Sequence, residues 1–136
     1  MRQALVLTLL ACGLFWGQLA TDCKPSTANI PRAQFPCVTS DHRATFRLVA
    51  PDAQKVQVRL GQTYDMARGP DGVWSGTIPP QVVRFHYYYL MVDGVQVNDP
   101  AAETFYGVGR ESSGIEIPEV GVGLLQSQGR AARRRA

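Results

Sequence analysis

Between Ala44 and Ile117 the chain alternates apolar and polar positions with a period of two, the repeat of a half-buried β-strand. Ala44, Phe46, Leu48 and Ala50 alternate with Thr45, Arg47 and Val49 until Pro51-Asp52 stops the run. Val56, Val58 and Leu60 alternate with Lys55, Gln57 and Arg59, and Gly61 closes that segment. A short strand is expected around Tyr64-Asp65-Met66. Gly69-Pro70-Asp71-Gly72 is a turn that delivers Val73-Trp74-Ser75-Gly76-Thr77-Ile78. Pro79-Pro80 ends this strand, because proline has no N–H for a ladder. Phe85 to Val92 is the longest apolar run of the body, of a length that suits a strand, and Asp93-Gly94 follows as a hairpin turn. Val95-Gln96-Val97 is its returning partner, stopped by Asn98-Asp99-Pro100, and Ile115-Glu116-Ile117 predicts a last strand before Pro118.

About seven short strands, with a turn every 8–12 residues or so and no amphipathic helix in 21–119, predict an all-β, antiparallel immunoglobulin-like β-sandwich over 38–119. Phe46, Leu48, Val56, Val58, Trp74, Leu90 and Val92 are expected to lean to its core. Composition agrees. A chain of 136 residues that is 45% hydrophobic and 18% charged can fold as one small domain, and its thirteen Gly and nine Pro suit many turns. It is too small for a complete esterase or glycosidase domain, which needs about 250 residues.

Charge changes the picture only at the ends. The formal net charge is +3, yet residues 21–119 carry nine Lys or Arg against eleven Asp or Glu, a balance of −2. The excess sits at Arg130, Arg133, Arg134 and Arg135. A basic tail can mark a nucleic-acid-binding protein. No basic stripe on the body extends this one, so it is read as a solvated end and no nucleic-acid partner is expected. At the other end, Met1-Arg2 precedes an apolar run from Ala4 to Trp16 and the small residue Ala20, the layout of a signal peptide over 1–20. Leu9-Leu10-Ala11-Cys12 offers the alternative of a lipoprotein box, anchored at Cys12. The apolar run is shorter than the roughly 20 residues that span a bilayer. A secreted or periplasmic location is expected.

In an exported chain, Cys23 and Cys37 are the remaining pair, and a disulfide between them would close a loop of about 15 residues, worth about 3 kcal/mol in the chain-entropy model. It would hold down the aperiodic segment 24–36 within an N-terminal extension, 21–37. Two cysteines cannot supply a four-ligand zinc site. No metal or other cofactor is expected.

The segments ATFRLVAPDAQKVQVRL, YDMARGPDGVWSGTI, FHYYYLMVDGVQVNDPAAETFYG and SSGIEIPE carry a further signal. Their Phe-Arg-x-x-Ala-Pro-x-Ala, Asp-Gly-Val-Trp, Val-Asp-Gly and Asp-Pro elements, in this spacing, resemble the N-terminal immunoglobulin-like domain of bacterial secreted esterases of the feruloyl-esterase and xylanase-Z-like group. That domain is related to the family-48 carbohydrate-binding modules, of the E-set type, in glycogen-branching and debranching enzymes. The resemblance covers about residues 23–122. It implies a module that precedes an α/β-hydrolase domain, where the Ser-His-Asp chemistry resides.

The chain itself departs from that chemistry. A nucleophile elbow needs Gly-x-Ser-x-Gly, and the residue two before Ser112 is Arg110. His86 reads as a strand residue and His42 as part of the Thr39-Ser40-Asp41-His42-Arg43 turn, so no catalytic residue is assigned. The expected role is non-catalytic: docking on the hydrolase domain, contacting plant cell-wall glycan, or both. A fragment of an esterase is the alternative description.

Sugar-binding modules present flat aromatic faces to pyranose rings. Trp74, Tyr87, Tyr88, Tyr89, Phe105 and Tyr106 are the candidates, although Trp74 is expected in the core. Tyr88 lies on one face of its strand, with Tyr87 and Tyr89 on the other. The resemblance places sugar-binding tryptophans after Val-Asp-Gly and in the loop after the second strand. Gln96 stands at the first position, and 61–63 carries no Trp, so an α-glucan platform is missing. Thr104 to Arg110 reads as an aperiodic loop whose Phe105-Tyr106 pair, if exposed, marks a contact surface. Tyr88, Phe105, Tyr106 and Arg110 are the residues expected to contact glycan or the hydrolase domain.

After Pro118-Glu119 the resemblance implies a Gly-Val-Asp-Tyr-Tyr-like linker. Val120-Gly121-Val122 fits, and Gly123 onward departs. Synonymous codons for Gly123 to Arg134 exist that, on deletion of one G, encode Asp-Tyr-Tyr-Ser-Pro-Lys-Gly-Val-Pro-His-Gly. The tail over 120–136 is therefore expected to be disordered, and read out of frame from Gly123 onward.

Overall fold

The computed structural model describes residues 22–120. The leader expected over 1–20, Cys12 with it, and the tail beyond Val120 lie outside the described residues. Every regular element described is a strand: β1 (Lys24–Pro25), β2 (Cys37–Val38), β3 (Ala44–Val49), β4 (Val56–Leu60), β5 (Gln62–Asp65), β6 (Ala67–Arg68), β7 (Val73–Ile78), β8 (Arg84–Val92), β9 (Val95–Val97), β10 (Thr104–Tyr106) and β11 (Glu111–Ile117). One sheet runs β1-β2-β3-β7-β6, and the other runs β10-β11-β8-β4-β5 with β9 also on β8. All these pairings are antiparallel. The result is the expected all-β sandwich, its two sheets packed face to face.

The alternation read from the sequence sets which side chains meet between the sheets. Ala44 and Phe46 of β3, Trp74 and Ile78 of β7, Val56, Val58 and Leu60 of β4, Tyr88 and Leu90 of β8, and Ile115 and Ile117 of β11 are all buried in one cluster. Phe46 and Tyr88 join the layers edge to face at 4.9 Å. Trp74 donates its indole N–H to the Ala50 carbonyl at 2.9 Å, so its one polar atom is satisfied inside. Leu48 and Val92, expected in the core, are only partly buried and pack against its margin. The β8–β9 hairpin turns through Asp93 and Gly94, with φ of 49° and 82°. Positive φ at both central residues is what a tight type I′ turn requires. The Asp93 carboxylate then accepts the N–H groups of Gln54 and Lys55, tying the hairpin to the entry of β4.

The structure extends the sequence reading in two places. The aperiodic loop expected at Thr104–Arg110 begins as β10, and the last strand starts at Glu111 rather than Ile115. Ser112, Ser113 and Gly114 had interrupted the apolar alternation that announces a strand. The N-terminal segment also joins the sheet: β1 pairs with β2, and β2 with the start of β3. Between them, Asn29 donates its side-chain N–H groups to the carbonyls of Ala33 and Pro36, and its backbone bridges antiparallel to Ala102. A Cys23–Cys37 disulfide fastens this segment, with Cα atoms 5.3 Å apart. Among the described residues no helix is long and apolar enough to cross a membrane.

Beneath the sheet, Tyr88 donates to Asp99 Oδ2 at 2.7 Å, the Ala101 N–H donates to Asp99 Oδ1, and the Asp99 N–H donates to Ser113 Oγ. Burial pushes the Asp99 carboxyl above its ordinary value, opposed by the Ala101 and Tyr88 hydrogen bonds. Burial, then the neighbouring Asp99, push the Tyr88 hydroxyl upward as well.

Two predictions come from these contacts. Replacing Cys23 and Cys37 by Ser should cost about 3 kcal/mol in urea unfolding; an unchanged midpoint would show that the bridge contributes nothing. For Asp99, a raised folded-state pKa means the native protein holds the proton more tightly than the unfolded chain. Stability linked to this group is therefore full below the unfolded value of about 3.8 and falls as pH rises from there through the folded-state value. Asp99→Asn keeps an acceptor for one of the two donors without the buried charge, so it should flatten that decline and melt above the Ala variant at pH 7. Asp99→Ala strands the Tyr88 and Ala101 donors and should cost about 3 kcal/mol. Equal melting of the Asn and Ala variants would refute this assignment.

A candidate contact face on the six-stranded sheet

The parity of β8 decides which aromatics are available. Leu90 and Tyr88 point into the core, so Phe85, Tyr87, Tyr89 and Met91 point outward. Tyr88, expected as a contact residue, is 0% exposed and bonded to Asp99, and it cannot touch a partner. The expected Phe105-Tyr106 pair is divided as well. Neighbours along a strand face opposite ways, and Phe105 stands opposite Ser112 while Tyr106 stands opposite Glu111. Phe105 is half-buried and Tyr106 is 77% exposed.

On the outer face, β11 places Gly114 opposite Tyr87 and Glu116 opposite Phe85. With no side chain at Gly114, aromatic rings close over the backbone. A Cβ built there would lie 2.3 Å from Phe85 Cζ and 2.7 Å from Phe105 Cε2. Phe85 meets Phe105 edge to face at 4.9 Å and Tyr87 likewise at 5.2 Å. The Tyr87 ring reaches on to Gly107, where a Cβ would lie 1.5 Å from its hydroxyl oxygen. Three rings and two glycines thus make one apolar patch, of which Phe85 remains 40% exposed.

A polar cluster adjoins it. Tyr89 stands opposite Arg59 of β4, and its hydroxyl lies 2.6 Å from Ser112 Oγ. Arg110 lies over the Tyr89 ring, its Cζ 5.0 Å from the centroid, and its Nε donates to the Tyr89 hydroxyl at 3.2 Å. The Ser112 hydrogen bond, followed by Arg110 and Arg59, holds the Tyr89 hydroxyl below its ordinary value. Of the four residues expected at the site, the structure brings Phe105 and Arg110 onto one face, sends Tyr106 to the other side of β10, and puts Tyr88 in the core. Phe85, Arg59 and Gly114 were not singled out from the sequence. Period-two counting from Leu90 places Phe85 outward, but Arg59 and Gly114 join the site only through strand pairing, which periodicity does not contain.

Of the residues considered for hydrolysis, His42 has its Nε2 buried without a hydrogen-bond partner among the described residues, and the other three have partners of their own. His86 Nε2 lies 2.7 Å from the Val82 carbonyl, Ser112 is bonded to Tyr89, and Ser113 receives the Asp99 N–H. Away from the aromatic patch, an open groove of about 530 Å³ runs between the β1–β2 segment and the end of β11, lined by Lys24, Ser26, Val38, Glu116 and Pro118 among others. Two of its three acids are engaged: Asp22 accepts the Ser40 N–H, and Glu116 accepts the Thr27 hydroxyl, with Glu119 as the third. Ser40 holds the Asp22 carboxyl below its ordinary value.

Gly114→Ala should displace the Phe85 and Phe105 rings, lower stability by about 2 kcal/mol and alter the near-UV circular dichroism. Wild-type values for both would mean that the rings are not seated on this glycine.

No family model matches the chain. It is similar to the endo-1,4-beta-xylanase/feruloyl esterase of Xylanibacter ruminicola, with 41% identity over 102 residues, 71% of this chain and 14% of that protein. The chain therefore spans a small part of the length of this relative. Among solved structures it is similar to pullulanase type I from Bacillus subtilis, complexed with maltose, at 20% identity and a TM-score of 0.46 over 56% of this chain and 12% of that one. It is also similar to a pullulanase from Paenibacillus barengoltzii at 24% identity and a TM-score of 0.42, over 54% of this chain and 13% of that one.

Proposed function

We propose that the chain is a non-catalytic β-sandwich module of an exported carbohydrate-active esterase, and that the outer face of its six-stranded sheet docks on an α/β-hydrolase domain. The observation that carries this reading is the closure of Phe85 and Phe105 over Gly114, joined by Tyr87 over Gly107. A pyranose stacks on a flat, open ring face. Here Phe85 meets Tyr87 at 84° and Phe105 at 73°, so the three rings do not lie in one plane. What faces outward is an uneven apolar patch flanked by Tyr and Arg, the composition of a protein interface. The 102-residue match within a much longer xylanase/feruloyl esterase supports a catalytic neighbour. Export accords with the Cys23–Cys37 disulfide, which belongs to an oxidising compartment.

The test has three arms. The purified chain is expected to run unretarded in gels containing xylan, arabinoxylan, starch or glycogen, and to leave methyl ferulate unhydrolysed. It is expected to bind the X. ruminicola enzyme made without its matched 102 residues. Phe85→Ala with Phe105→Ala should weaken that binding at least about tenfold. Retardation by xylan that the same double variant abolishes would replace docking with glycan contact, and turnover that survives repurification would overturn the non-catalytic assignment.

A further inference from the structure

Arg59, Tyr89 and Ser112 stand side by side on β4, β8 and β11, neighbouring strands about 5 Å apart. Arg110, just before β11, folds back across Tyr89 and donates to its hydroxyl, while Arg59 stands opposite Tyr89 on β4, so two arginines belong to one tyrosine. Neither has an ion-pair partner among the described residues; the pair present there is Arg43 with Asp41. The acids on the same face are held by neutral donors: Asp65 accepts from Gln57 at 2.6 Å, and Glu116 from Thr27 at 2.7 Å. Arg110 is also pre-positioned, since its Nε donates to the Tyr89 hydroxyl and its Cζ lies over the Tyr89 ring before any partner arrives. A fixed, planar guanidinium suits a carboxylate, which it can meet through two parallel hydrogen bonds. The apolar patch of Phe85, Tyr87 and Phe105 adjoins this cluster, and water excluded there on docking would strengthen any charge pair made at its border.

We propose that Arg59 and Arg110 receive a carboxylate side chain of the docked catalytic domain, so that this face has an apolar anchor and, beside it, an ionic one that fixes orientation. The proposal rests on the docking reading above. Opposite charges across an interface steer approach and set register, whereas an apolar patch alone tolerates several orientations.

The experiment measures binding of the full chain to the X. ruminicola enzyme lacking its matched residues, a preparation accepted only if it hydrolyses methyl ferulate. Arg59→Gln and Arg110→Gln should each weaken binding at least about threefold, with unchanged melting temperature. Raising NaCl from about 0.05 to 0.5 M should weaken wild-type binding roughly tenfold and the double variant much less. Binding indifferent to salt and to both substitutions would overturn the ionic anchor and leave docking standing. Retardation in glucuronoxylan gels that both substitutions abolish would overturn it by assigning the pair to an acidic glycan. Absence of any binding would overturn the docking reading and this inference together.

Discussion

The Tyr88 hydroxyl donates to the buried Asp99 carboxyl, and this hydrogen bond locks the side-to-side parity of β8. A strand cannot shift by one residue without exchanging its two faces. With Tyr88 bonded beneath the sheet and packed on Phe46, a slipped register would strand a buried acid and drive Phe85, Tyr87 and Tyr89 inward. The outer face is therefore a consequence of the core. The same strand that closes the sandwich displays Phe85 and Tyr87, and β11, paired to it, supplies the gap at Gly114 into which the rings settle.

Ser112 and Ser113 show how one dipeptide serves both layers. Adjacent on β11, they point to opposite sides: Ser113 receives the Asp99 N–H below, and Ser112 meets the Tyr89 hydroxyl above. Both are almost fully buried, and each has a hydrogen-bond partner. Polar residues in the middle of a sheet are tolerated on that condition. The price in sequence terms is that the strand stops looking like one.

That accounts for what was legible and what was not. Strands with uninterrupted alternation, such as Phe46-Leu48 or Val56-Val58-Leu60, were visible because burial on one face repeats every second residue. The Asp93-Gly94 turn was visible because its backbone conformation restricts the residues that fit. β10 and the first half of β11 were hidden behind serines and glycine, and β1 and β2 are too short to carry a period. At the candidate site, Phe105 and Arg110 are nameable as a contact pair, whereas Tyr88, expected as a contact residue, shares the parity of the core residue Leu90 and so lies inside, where Asp99 receives its hydroxyl. Arg59 is fifty-one positions from Arg110 along the chain, and only the shared neighbour Tyr89 brings them into one cluster.

The disulfide-fastened segment has a consequence for how the protein must be made. β2 covers β3 only at Ala44 and Thr45, and Arg47 further along packs over the Phe35 ring at 4.9 Å. Two residues of pairing and one ring are thin protection for a sheet edge whose outward Val49 is 73% exposed. Without the Cys23–Cys37 bond, the cover is free to lift, and the bared edge of β3 becomes a template onto which a second chain can add a strand. Material produced in a reducing cytosol should accordingly be lost to insoluble aggregate more readily than the same chain passed through an oxidising compartment.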